Sequence, residues 1–325
     1  MRSIIIILFY ATANVAIITF SFTTDAPEII SPQSTSAVVP EYTVIENLDY
    51  FHLKNGIPQL SLAAHRMSSV GEEMAEFENP KGVYNHSEKN KAIRYQAEHG
   101  VYRKENELLV LKGDVKISSL ESQYFAQRLD YFFKRDLLHG VGGVKYMGED
   151  PKTKDTFNIE AVSMRARPQK KLATFTGNVR GVMNRKKKYE GNMKFSSREL
   201  SLDSDKSLAH LEGSVVLTRP SYLITAGKAD IFFENYNKSL KYFVLNDDVK
   251  VTETVNTAGK ITQRKSYAER LEGFGREQKM ILSGAPRVEQ GADVIKGYRI
   301  TIRENADLIE VDDAMSDVQV KRKKN

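Results

Sequence analysis

The sequence predicts an all-β protein of stacked strand pairs, a solenoid-like sandwich, behind a single N-terminal membrane-spanning helix. The first observation is a recurring stretch. Residues 108–117 (LLVLKGDVKI) read as a strand, a tight turn at Gly113-Asp114 and the start of another strand. Similar stretches close on Val144, Val179, Val215, Val249 and Val288, which from Val115 gives steps of 29, 35, 36, 34 and 39 residues. A period this regular marks a repeated supersecondary unit. The second observation is a pair of aromatic and β-branched runs, residues 124–133 and 223–233, each followed by a polar turn; that is strand and hairpin chemistry. The third is that no stretch beyond the N-terminus carries apolar residues at helical spacing over three turns. A lone hairpin is marginal in water, so the units must stack. Their uneven length favours a stacked sandwich over a propeller.

Taken in order, residues 3–24 carry no charge and centre on an Ile-rich run, with Arg2 before and Asp25 after. That length crosses a hydrocarbon core of ~30 Å as a helix. The positive N-terminus places the rest of the chain on the far side of the membrane. An uncleaved anchor over 1–24 is the reading adopted; a signal peptide cut near Thr24-Asp25-Ala26 is the alternative, and both export the body. Residues 25–44, with Pro27, Pro32 and Pro40, read as an extended linker, and the folded body begins near Ile45. Residues 56–64 look like a turn and a strand, in which Pro58 argues for an edge or a strand start. The last strands are expected at 298–303, 308–311 and 318–320, before the basic tail 321–324.

The chemistry of the chain excludes several classes. Cysteine is absent, so thiol catalysis and Cys-ligated zinc are ruled out. Six histidines (52, 65, 86, 99, 139 and 210) share no ligand-like spacing, and no nucleophile elbow or phosphate loop is present. Asp203-Ser204-Asp205 reads as hairpin-turn chemistry, since the other ligands of a calcium loop are missing. No enzyme, metal or cofactor is expected. The net charge of +6 fits an anionic partner. The basic run Arg185-Lys186-Lys187-Lys188 has only Tyr189 as a close aromatic, which argues against nucleic acid. It reads as a solvated hairpin loop, with phosphorylated lipid headgroups as the sharper alternative.

Several stretches together resemble a known family. They are Gly56-Ile57-Pro58-Gln59-Leu60-Ser61-Leu62-Ala63-Ala64, residues 78–84 (ENPKGVY), residues 95–102 (YQAEHGVY) and the close on Val115. In that order, behind an anchor and a linker, they resemble LptC, the anchored periplasmic component of lipopolysaccharide export. The later Thr225-Ala226-x-x-Ala229 and Gly177-Asn178-Val179 resemble the related bridge protein LptA, or OstA-like proteins. The resemblance implies an LptC-like part over 45–150 and an LptA/OstA-like part over 151–325. It implies an open β-jellyroll whose groove shields lipid acyl chains. It implies as partners lipopolysaccharide or a related glycolipid, an inner-membrane ABC transporter, and an LptA-like bridge or outer-membrane translocon. The location implied is the inner membrane, single-pass, with the body in the periplasm.

Strands that alternate apolar and polar residues bury one face. Groove candidates on that pattern are Phe125, Leu129, Tyr131, Phe133, Phe175, Ile224, Ile231 and Phe233. From the residues alone, a groove lining and a closed core are equal alternatives. Candidate docking edges are Leu60 and Leu62 at one end, and Tyr298, Ile300 and Ile302 at the other. The competing functions are a non-catalytic envelope solenoid and, less favoured, an anchored polysaccharide-active enzyme.

Overall fold

The computed structural model describes residues 42–54, 57–71, 73–86, 91–119, 122–149, 154–167, 170–186, 192–220, 222–233, 240–257, 260–275, 277–303, 309–312 and 315–317. The expected anchor, most of the linker, the strand at 318–320 and the basic tail lie outside them. The described residues form β1 (Tyr42–Lys54), β2 (Ile57–Val70), β3 (Met74–Glu78), β4 (Lys81–His86), β5 (Lys91–Gln96), β6 (His99–Arg103), β7 (Leu108–Ser118) and β8 (Ser122–Phe132). Then come β9 (Leu137–Glu149), β10 (Thr156–Arg167), β11 (Leu172–Asn184), β12 (Met193–Asp203), β13 (Leu208–Thr218), β14 (Tyr222–Phe233), β15 (Leu240–Thr257) and β16 (Lys260–Phe274). The chain finishes with β17 (Lys279–Ser283), β18 (Arg287–Gln290), β19 (Asp293–Lys296), β20 (Arg299–Arg303), β21 (Ile309–Asp312) and β22 (Met315–Asp317). Pro58 stands second in β2, at the strand start that proline tolerates.

All these strands belong to one antiparallel sheet. From β7 to β16 each strand pairs with the next in sequence. At one end β1 covers β2, and β2 meets both β3 and β4, which β6 and β5 carry onto β7. At the other end β16 meets both β17 and β18; β20 and β21 extend the first, β19 and β22 the second.

The Gly-x-Val stretches are not turns. β7 runs through Gly113-Asp114 as one strand: Lys112 faces Arg128 and Val115 faces Ala126, so two residues oppose the single Gln127. That is a β-bulge, which bends the strand. The same two-against-one arrangement sets Gly177-Asn178 against Arg198, Gly213-Ser214 against Gly227 and Asp247-Asp248 against Glu269. The turns fall at strand ends instead, as at 104–107 and 204–207. Sequence reasoning mistakes the bulge for a turn because both need positive φ. Gly113 and Asp114 have φ of +74° and +41°, and Gly, Asn and Asp supply that conformation in either setting. At Gly177 a side chain is excluded twice over: φ is +84°, and a Cβ would lie 2.9 Å from the Cβ of Val162.

The bulges line up strand after strand into a seam that divides the sheet into two leaves. One face is buried along both leaves, as with Ala209, Leu211, Val215 and Leu217 on β13. Among the described residues no second sheet covers that face, and the only helical piece is a 3-10 turn at Phe133–Arg135. A buried face with no other layer over it means that the sheet folds along the seam and its leaves cover each other. The interior is one continuous cluster from Leu60 to Ile302. Among the described residues no ladder joins the leaves at their outer rims, so the sandwich is open in its hydrogen bonding.

Candidate functional site: the inner face and the strand edges

Six predicted groove residues, Leu129, Tyr131, Phe175, Ile224, Ile231 and Phe233, lie on the inner face, with exposures from 0% at Ile224 to 8% at Phe233. Side chains fill the interior. Phe133 stands at a rim, in the 3-10 turn, with its ring 4.4 Å from that of Tyr131 and 6.3 Å from that of Tyr102. Phe125 corrects the expected register: it lies on the outer face, with the Lys116 ammonium 5.5 Å from its ring centre. Counting by twos from Tyr131 and Leu129 reaches Phe125, but the unpaired residue at the seam flips the alternation. The inward set on β8 is therefore Tyr124 and Ala126, then Leu129 and Tyr131.

The two rims differ in chemistry. Along the first leaf the inward residues farthest from the seam are mostly apolar or aromatic, among them Tyr131, Phe133, Phe233 and Phe243, with the uncharged Ser204 and Ser207 buried at the β12–β13 turn. Along the second leaf the rim carries charge. Arg185 Nη1 donates to Asp155 Oδ2 at 2.8 Å, and the Lys186 backbone N–H donates to Asp155 Oδ1 at 2.9 Å. Further along, Arg264 Nε donates to Glu253 Oε2 at 2.8 Å, with both side chains under 10% exposed. Between them the Arg219 guanidinium lies 5.8 Å from the Tyr222 ring centre. Burying a charge is tolerated only when it is paired, which is why Arg185 and Arg264 each have a carboxylate. Arg185 thus departs from the expected solvated loop; Lys187 and Lys188 lie outside the described residues.

The expected docking edges are corrected. Leu60 and Leu62 belong to β2, which is paired on both sides: Leu60 faces His52 and Tyr84, and Leu62 faces Tyr50 and Gly82. Ile300 and Ile302 belong to β20, between β17 and β21, and are 0% and 1% exposed. Tyr298 is 75% exposed and precedes β20, its N–H donating to Asp312 O at 3.0 Å. Among the described residues the long edge is β1, a 13-residue strand with a partner strand on one side only and with Tyr42, Val44 and Phe51 exposed. Its signal was the alternation of Tyr42, Val44, Leu48 and Tyr50, which starts inside the expected linker and was masked by Pro40 just ahead.

Other candidates recede. Asp203 Oδ1 accepts the Lys206 N–H at 3.0 Å in the 204–207 turn, as hairpin chemistry requires. His210 Nδ1 lies 2.6 Å from Asp230 Oδ1 across β13 and β14. Among the described residues no group of His, Asp and Glu is arranged to hold a metal. A hollow of about 480 Å³ lies on the outer face between Phe232, Lys241, Tyr242, Phe274 and Glu277. Among the described residues no helix is long and apolar enough to cross a membrane.

Comparison with known proteins gives two family matches. The profile described as "Lipopolysaccharide-assembly, LptC-related" matches residues 5–184. That described as "LptA/(LptD N-terminal domain) LPS transport protein" matches residues 194–307. The join falls between β11 and β12, which pair along their length, so the sheet runs through it unbroken. Among solved structures, LptH from Pseudomonas aeruginosa, described as the LptA homologous periplasmic component of the lipopolysaccharide transport device, is 14% identical. The match covers 40% of this chain and 97% of that one, with a TM-score of 0.37. No curated protein sequence matches. With more than half its length matched by the first profile, the chain belongs to the LptC-related family of lipopolysaccharide-assembly proteins and carries an LptA-like transport domain behind it.

Proposed function

We propose that the protein is a non-catalytic, membrane-anchored periplasmic component of lipopolysaccharide export. Residues 1–24 hold it in the inner membrane and 25–41 link that anchor to the sheet. The leaves part along their rims and take the acyl chains of lipopolysaccharide, or of a related glycolipid, between their inner faces. The observation that carries this reading is a single sheet folded on itself around a continuous apolar cluster from Leu60 to Ile302, with no ladder closing its rims among the described residues. Separating the rims breaks packing but no strand pairing. Edge-to-edge pairing with the same kind of fold is the docking mode this architecture supports. The β1 edge faces the ABC transporter, and the β21 and β22 edges face a bridge protein or outer-membrane translocon.

The filled interior favours a second reading, a structural envelope solenoid whose core never opens. A photo-crosslinking residue at Ile224, fully buried, separates the two in cells, with the outward Leu223 as control. Lipid adducts at 224 and none at 223 are expected. Absence of lipid adducts at 224 would establish the closed solenoid. For docking, Val44→Lys with Phe51→Lys places charge on the β1 edge, away from the core. Recovery of the inner-membrane partner should fall about tenfold while stability changes by under ~0.5 kcal/mol. Undiminished recovery would exclude docking through β1.

A further inference from the structure

Three successive inward positions of β16, namely Thr262, Arg264 and Ser266, are polar. The matching positions on β10, Phe157, Ile159 and Ala161, are apolar, and β8 and β12 carry one buried polar residue each there, Ser122 and Ser197. Arg264 and Ser266 are 2% and 1% exposed. Arg264 meets Glu253 through Nε, but its Nη1 is buried with no hydrogen-bond partner. Thr262 Oγ1 and Ser266 Oγ are also buried without one, and so is Arg219 Nε further along the same rim. Native interiors rarely leave polar atoms unmatched, and four on one stretch of rim ask for a partner. Two of the four are obligatory donors and the hydroxyls can donate, so that partner must be rich in acceptor oxygens. Two guanidiniums against one carboxylate leave the locality positive, so an anion fits better than a neutral acceptor. Ser266 shares its cross-strand row with the buried Ile224, Val251 and Val288, and Ala268, one step nearer the seam on the same strand, is apolar again.

We propose that Thr262, Arg264 and Ser266 receive the phosphate group of an acyl amphiphile whose chains lie between the leaves, with Arg219 adding positive charge further along the rim, beyond Tyr222 and Glu253. This rests on the acyl-shielding reading above and adds where the head group is held and by which atoms. The phosphate oxygens take the N–H of Arg264 Nη1 and the two hydroxyls; Glu253 stays on Nε and keeps the guanidinium aimed.

The test is calorimetric titration of the full chain in maltoside micelles with dihexanoyl phosphatidic acid, with dihexanoylglycerol and with inorganic phosphate. The wild type should prefer the phosphatidic acid over the diacylglycerol by about tenfold or more. Ser266→Ala should cut that preference severalfold and leave the diacylglycerol unaffected. Because Arg264 alone cannot be removed without stranding Glu253, the second variant is the pair Glu253→Gln with Arg264→Met, which should abolish the preference. Equal affinity for the two amphiphiles, or a preference that survives both variants, overturns the head-group site while leaving acyl shielding intact; bound water would then satisfy the four atoms. Binding of inorganic phosphate alone overturns the amphiphile and the shielding reading together. Absence of all binding overturns both as well.

Discussion

The two rims of the folded sheet are built from the same strands yet bury different chemistry. On the first leaf, Tyr131, Phe133, Phe233 and Phe243 end the inner face in rings. On the second, Asp155–Arg185 and Glu253–Arg264 end it in ion pairs whose side chains are at most 10% exposed. Apolar packing alone would close either rim, so the charged side is not needed to hold the fold. Replacing a buried pair by apolar residues is often neutral or better. The comparison teaches that the interior has a polarity across its width: rings end it on one side and buried ion pairs on the other.

The largest effect that would sharpen this contrast is at Asp155. Asp155→Ala leaves Arg185 buried without its carboxylate and should cost about 3–5 kcal/mol in urea unfolding. Asp155→Leu combined with Arg185→Met should come back to within ~1 kcal/mol of wild type. If the single variant is as stable as the pair, the charged rim is solvated and the contrast collapses. Next comes the apolar rim. Phe233→Ala should cost about 3 kcal/mol through the cavity it leaves. Thr262→Val on the other rim removes an unmatched hydroxyl and should be neutral or stabilising by up to ~1 kcal/mol without ligand. Equal losses at the two sites would break the comparison.

The smallest effect is a pH dependence on the outer face of the first leaf. Arg270 Nη2 and the Tyr242 hydroxyl each donate to Glu272 Oε1 at 2.7 Å and hold that carboxyl below the usual glutamate range. A depressed carboxyl stabilises the fold above its unfolded value and loses that contribution as pH falls through the folded one. The Tm of the wild type should therefore drop slightly more than that of Glu272→Gln between about pH 5 and 3. Parallel curves would show that the network is screened by solvent.

The strand content and the repeat were legible because a period of about 35 residues and the alternation of apolar positions survive in the sequence. The bulge was not. Gly213-Ser214 carries the same residue types as a hairpin turn, and only pairing across Gly227 shows that the strand continues. The site was partly legible. On β14, Ile224, Ile231 and Phe233 were placed inward; on β8, Phe125 was misplaced because one unpaired residue at the seam reverses the count. The edges were misjudged at both ends. Leu60 and Ile300 lie in strands covered by β1 and β21, short or unheralded segments whose presence depends on pairing rather than on composition. Arg264 left no local signal, since a lone arginine between polar neighbours reads as surface until its partners across the sheet are known.

The order of pairing has a consequence for how the molecule is made. Each pass of the chain pairs only with the pass before and the pass after it, so no strand waits for a partner made much later. Local contacts of this kind lower the loop entropy paid before pairing and speed folding. Assembly can therefore proceed as growth from one end, each new hairpin adding to a finished edge. Such a linear assembly behaves as a row of coupled units, in which a defect in one strand halts the strands after it and spares those already paired.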